Sequence, residues 1–166
     1  MASRVISPAN FARQWIGAIN KFEFNVFNFE TKAGDEVEKI FRKSFYLHHL
    51  NAPGQTSWVP LKESTLSRKG VLPHSILQET GTLENSIKWK LDGGKVQIYT
   101  DPNAFSGAKR QYGRNFCYAA IHNEGNDSNM FFNHNAPIPQ RQFIGDSEYV
   151  KDKLNELSKI LFKGLP

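Results

Sequence analysis

Ser7-Pro8 opens the first patterned segment as an N-cap followed by a first-turn proline. Phe11, Trp15 and Ile19 then recur every four residues, which predicts a short amphipathic helix. In residues 21–30 the apolar positions Phe22, Phe24, Val26, Phe27 and Phe29 alternate for three steps and then slip by one, a pattern that predicts a strand or a hinge. Val37, Ile40, Phe41, Phe45 and Leu47/His48 trace a second helical stripe. Asp35, Glu36 and Glu38 come early in it and Arg42 and Lys43 late, the order a helix dipole favours, and Asn51-Ala52-Pro53-Gly54 ends it.

Residues 55–72 are polar and turn-rich, an ordered loop holding Trp58 and Pro60 at its start and Arg68-Lys69-Gly70 near its end. Ile76, Leu77, Leu83 and Ile87 predict a helical turn interrupted at Gly81, then a strand over residues 86–91. Asp92-Gly93-Gly94 lies between two alternating runs, Ile87 to Leu91 and Val96 to Tyr99, and predicts a hairpin, since glycine supplies the positive φ of a tight turn. Residues 116–121 read as a third strand and residues 141–144 as a short fourth. Ser147 is placed to cap a last helix with Val150, Leu154, Leu157 and Leu161 on one stripe and Lys151, Lys153, Lys159 and Lys163 on the wet side. Helices at both ends of a small antiparallel sheet, with long loops at residues 102–115 and 126–140, make an α+β arrangement.

The 166 residues form one domain, residues 1–166, in which residues 1–30 are an N-terminal extension. A hydrophobic share of 39% and a charged share of 22% exclude collagen-like, coiled-coil and wholly disordered chains. Thirteen Phe, five Tyr and three Trp exceed what a small core needs, so part of this surface is expected to meet other subunits. No apolar run is long enough for a membrane helix, the N-terminus lacks the order of a secretory signal, and the lone Cys117 suits a reducing cytoplasm. The net charge of +5 is spread along the chain. It permits an acidic partner without demanding nucleic acid.

The closest approach to a catalytic or metal cluster is His122-Asn123-Glu124, with His134 not far along the chain. An H-x-E triplet offers a ligand and a general base, but the further ligands at fixed spacing are missing, and a structural hydrogen bond from His122 is the favoured reading. His48-His49 falls at a helix C-terminus, where an imidazolium is favourable without any ligand role, and Cys117 lies in an apolar run, where it packs as a small hydrophobe. No phosphate-cradling glycine loop is present. These readings predict no catalytic residue, no metal and no cofactor. The basic, aromatic loop 105–116, with Lys109, Arg110 and Arg114, is the alternative: a nucleic-acid-binding module using phosphate contacts and stacking. A small metal hydrolase using His122 and Glu124 is the other rival.

Several short motifs follow one another in order. They are Trp58-Val59-Pro60-Leu61 with Ser64-Thr65 and Lys69-Gly70; Ile76-Leu77 with Thr80-Gly81-Thr82-Leu83 and Ser86-Ile87; Tyr118-Ala119-Ala120-Ile121-His122-Asn123-Glu124-Gly125; and Ile138-Pro139-Gln140-Arg141-Gln142-Phe143-Ile144-Gly145 with Ser147. In this order they resemble the phage virion morphogenesis family, which includes tail-completion proteins of Mu-like tailed phages. The resemblance covers residues 30–162, with longer loops than the family commonly has on either side of the third motif. It implies a structural, non-enzymatic protein of the neck or tail terminus that joins tail to head as a homo-oligomeric ring of six copies. It further implies contacts with other neck and tail proteins, non-specific contact with DNA in the channel, no membrane, and a place in the virion after synthesis in the host cytoplasm. The family-motif residues are Trp58, Pro60, Leu61, Thr65, Gly81, Leu83, Tyr118, His122, Gly125 and Pro139. Arg141 and Phe143 alternate on the expected fourth strand and are candidates for a subunit interface. Arg141 would either bridge to a neighbour or pair internally with Glu124 or Asp146.

Overall fold

The computed structural model describes residues 7–50, 56–69, 76–105, 118–125 and 137–165. Helix α1 (Pro8–Leu47) is followed by α2 (Glu63–Lys69), the single turn α3 (Thr82–Asn85), strands β1 (Ile87–Asp92) and β2 (Lys95–Thr100), and a 3-10 turn (Pro102–Phe105). Then come α4 (Tyr118–Glu124) and α5 (Glu148–Ser158), which runs into a second 3-10 turn (Lys159–Phe162). The class is α+β as expected, with helices at both ends of an antiparallel sheet. Among the described residues that sheet has two strands, not four.

The Ser7 hydroxyl accepts from the Asn10 N–H at 3.3 Å and Pro8 fills the first turn, so α1 starts where the sequence indicates. It stops at His48, whose left-handed backbone (φ 56°, ψ 34°) forms the C-cap. Everything between is one helix, so the strand or hinge expected over residues 21–30 is a helical segment. The physical reason is a stripe that skips Phe24 and Phe27: Trp15, Ile19, Phe22, Val26, Phe29, Ala33, Val37, Ile40 and Ser44 follow one another at intervals of four or three. Phe24 and Phe27 lie off that stripe and produced the apparent alternation. Asp35, Glu36 and Glu38 are therefore mid-helix and do not serve the dipole. Glu36 pairs with Lys39 and Glu38 with Arg42, each at 2.8 Å, and the Asp35 carboxylate accepts from the Trp89 indole N–H at 3.0 Å.

Strands β1 and β2 pair from Ile87↔Thr100 to Asp92↔Lys95, and Gly93 and Gly94 take φ of 56° and 73°, the double positive φ of a type I′ turn. Ile87, Trp89 and Leu91 stand opposite Thr100, Ile98 and Val96 on one face. That face lies on α1 through Trp89, which covers Gly34 so closely that a Cβ at position 34 would fall within the indole. On the other flank α5 presents Val150 and Leu154 to the core. Ser147 holds its N-cap position without a capping bond from its hydroxyl. The buried Asn25 side chain donates to the carbonyls of Leu161 at 3.1 Å and Lys163 at 3.0 Å, tying the C-terminal turn to the middle of α1.

The core gathers Val37, Ile40, Phe41 and Phe45 of α1 with Leu50, Trp58, Ile76, Leu83, Ile87, Phe105, Ala119 and Phe143. Two expected strands are corrected. Residues 118–121 are the start of α4, because an alanine pair flanked by Tyr118, Ile121 and His122 satisfies helical spacing and alanine has the best helix propensity. Residues 141–144 belong to no ladder, since the N–H groups of Arg141, Phe143 and Ile144 are taken by α4. Cys117, His134, Lys109, Arg110, Arg114, Gly70 and the Asn51-Ala52-Pro53-Gly54 stop signal lie outside the described residues, as do most of the two expected long loops.

Gly34 sets a competition of known sign. Alanine would gain up to about 1 kcal/mol of helix propensity, whereas driving a methyl into the indole of Trp89 costs about 1–3 kcal/mol. Gly34→Ala is expected to lower the melting temperature followed by circular dichroism, and Gly34→Val to lower it further. A raised melting temperature for Gly34→Ala would contradict this packing.

Candidate functional site

Several of the motif residues, Trp58, His122, Gly125, Arg141 and Phe143, converge where irregular segments meet the C-terminal end of α1. Residues 139–145 lie in no strand there, and buried backbone must still find hydrogen bonds. The Arg141 N–H donates to the His122 carbonyl at 2.7 Å. The Asn123 side-chain oxygen accepts from the N–H groups of Phe143 and Ile144, both at 3.0 Å, and the Asn123 carbonyl accepts from the Gln140 amide at 3.1 Å. Gly125 ends α4 at φ 77°. A Cβ there would stand 2.9 Å from the Gln140 nitrogen, so only glycine fits this crossing.

The second jaw is the segment around Trp58. Its N–H donates to the His48 carbonyl at 2.6 Å and its indole N–H to the Gln142 carbonyl at 2.9 Å. The indole meets Phe45 edge-on at 5.6 Å between centroids and stacks with His48 at 6.1 Å. Phe45 is fully buried and meets Phe143 at 5.2 Å between centroids, extending a row of aromatics from His48 through Trp58 and Phe45 to Phe143.

Arg141 is only 7% exposed, and its Nε and Nη2 both donate to the Val59 carbonyl, at 3.2 and 3.1 Å. Among the described residues it pairs with neither Glu124 nor Asp146, and burial alone holds its pKa below the ordinary arginine value. Phe143, at 1% exposure, is a core residue. The opposite faces expected for this pair, one side chain inward and one outward, are thus corrected: both are buried in the protomer, because α4 holds the segment on one side and Trp58 and Val59 on the other.

The other motif residues are dispersed. Tyr118 joins Phe105 (4.7 Å) to His122 (6.1 Å) in a chain of edge-on rings. Gly81, at φ 69°, precedes α3, and Leu83 of that turn enters the core. Leu61 packs against the core, Thr65 is half-buried on α2, Pro139 is half-buried, and Pro60 is exposed. Asn123, the best-connected side chain of the clasp, was passed over in the sequence because His122 and Glu124 on either side suggested a ligand and a base. Its signal was its own chemistry, a short amide at a helix end able to cap neighbouring backbone. Among the described residues no three of His, Cys, Asp and Glu gather in a way that could hold a metal ion.

A family model described as the phage virion morphogenesis family matches residues 32–161. No curated protein and no solved structure matches the chain. The matched stretch contains the whole clasp.

Asn123 provides the test of the clasp. Asn123→Ala leaves two part-buried N–H groups without an acceptor and is expected to cost about 1–3 kcal/mol, read as a lower urea midpoint. Asn123→Asp keeps the acceptor and should lose less. Equal midpoints for wild type and Asn123→Ala would show that the clasp carries no stability.

Proposed function

The chain belongs to the phage virion morphogenesis family, and from that membership we propose that it completes the tail and joins it to the head as a closed ring of identical subunits. A role in phage structure and morphogenesis is what the family stands for. The finer reading rests on how the motif residues are used. Trp58, His122, Gly125, Arg141 and Phe143 act through packing and backbone hydrogen bonds, which fix the shape of a building block.

A ring is the form that suits such a block. Heterologous contacts between identical subunits close by rotation, and the resemblance suggests six copies. The stabilisation comes from aromatic surface that the described fold leaves uncovered. DNA passes through the channel, where a mildly basic chain meets its phosphates without reading bases. The ring meets other neck and tail proteins, and the protein ends in the virion. No helix among the described residues is long and apolar enough to cross a membrane.

The observation that carries this reading is the family match across residues 32–161, which takes in every motif residue of the clasp. Deleting the gene is expected to leave filled heads and separate, unjoined tails in lysates viewed by electron microscopy, with infectivity restored by the gene supplied in trans. Joined, infectious particles from the deletion would refute the role.

A further inference from the structure

The stripe that α1 buries in the core does not end where the core ends. Ala33, Val37 and Ile40 are covered, whereas Phe11, Trp15, Ile19 and Phe22 on the same stripe are 54%, 58%, 52% and 38% exposed. A second apolar face, of Ile16, Phe24 and Phe27, is 58% exposed at each residue. At 3.6 residues per turn the two faces point roughly 130° apart around the helix. Only Arg13, Lys21 and Glu23 are charged between Pro8 and Phe27.

Such an arm needs a partner. Helices in proteins draw most of their stability from packing an apolar face, and here a contact between Phe22 and Phe162, together with the Asn25 hydrogen bonds, holds only the base of the arm. With about 200 Å² per large apolar side chain, the exposed fractions amount to about 400 Å² on the first face and about 350 Å² on the second, so one arm-to-arm contact removes about 750 Å², roughly half of a standard interface, and a ring holds one such contact on each side of every subunit. The occupant follows from the pattern. The uncovered intervals of four, four and three from Phe11 to Phe22 form a helix-pairing seam, whose natural complement is another helix of the same kind. The arm also precedes residue 32, where the family match begins, so it is an addition to the part that this chain shares with its family. One seam would suffice for a dimer. Two faces call for a neighbour on each side.

We propose that the arms of successive copies of this chain pack side by side, the Phe11–Trp15–Ile19–Phe22 face of one against the Ile16–Phe24–Phe27 face of the next. This rests on the ring reading and names the element that closes the ring. The contact is heterologous, so each subunit uses two different faces.

The test uses the full chain in solution, with mass read by light scattering and folding by circular dichroism. Wild type is expected to be larger than a dimer. Trp15→Glu/Ile19→Glu and, separately, Ile16→Glu/Phe27→Glu are each expected to be monomeric with near-wild-type melting, because both pairs are exposed. Mixed in equal amounts, the two variants retain one good face each and should form a dimer and nothing larger. A monomeric wild type overturns the proposal. So does a wild-type assembly that both variants preserve, which would leave association through the body and the ring itself intact. An Ile16→Glu/Phe27→Glu variant that still assembles like wild type would also overturn it, since a symmetric seam would then suffice. Imaging the neck decides the ring reading separately: a neck without this chain ends that reading even if the arms associate in solution.

Discussion

The fold depends on one surface, the face of α1 formed by Ala33, Val37, Ile40, Phe41 and Phe45. A two-stranded hairpin and helices of one to three turns cannot bury their apolar sides against each other, since an isolated hairpin is marginal and short helices lose their first turns to fraying. The hairpin, α3 and α5 instead pack on α1. The hairpin lies there through Trp89 over Gly34, α5 through Val150 and Leu154, and the irregular segments through Trp58 and Phe143.

The unladdered backbone on that surface sets the second constraint. Residues 141–144 reach the core without a strand to pair with, so their polar groups are satisfied by the end of α4 and by the indole N–H of Trp58. Asn123 and Arg141 act here as backbone surrogates, one accepting and one donating. In the clasp, residues that look chemical in the sequence make backbone contacts. His122 lends its carbonyl, Arg141 grips a neutral carbonyl, and Gly125 allows two chains to cross.

How much of this was legible follows from range. The hairpin could be read because its signals, two glycines and alternating flanks, are local, and the C-terminal helix because one stripe and one cap define it. The helical nature of residues 21–30 was hidden by Phe24 and Phe27, which do not belong to the core-facing stripe and are exposed. Tyr118–Glu124 was hidden by an apolar run that suits a buried strand as well as a helix. The clasp was not legible at all, since Trp58 meets Gln142 across 84 positions and Asn123 meets Phe143 across 20. No spacing rule reaches that far. The family resemblance found the residues of the clasp, but not what they do.

Shape held by packing and an uncovered helical arm describe a subunit made to be assembled. The most direct test is a cryo-electron reconstruction of the neck of the intact virion. The account predicts a closed ring of this chain between head and tail, with α1 of each subunit touching both neighbours. A neck resolved to side-chain detail that contains no copy of it, or isolated copies that do not touch, would contradict the account.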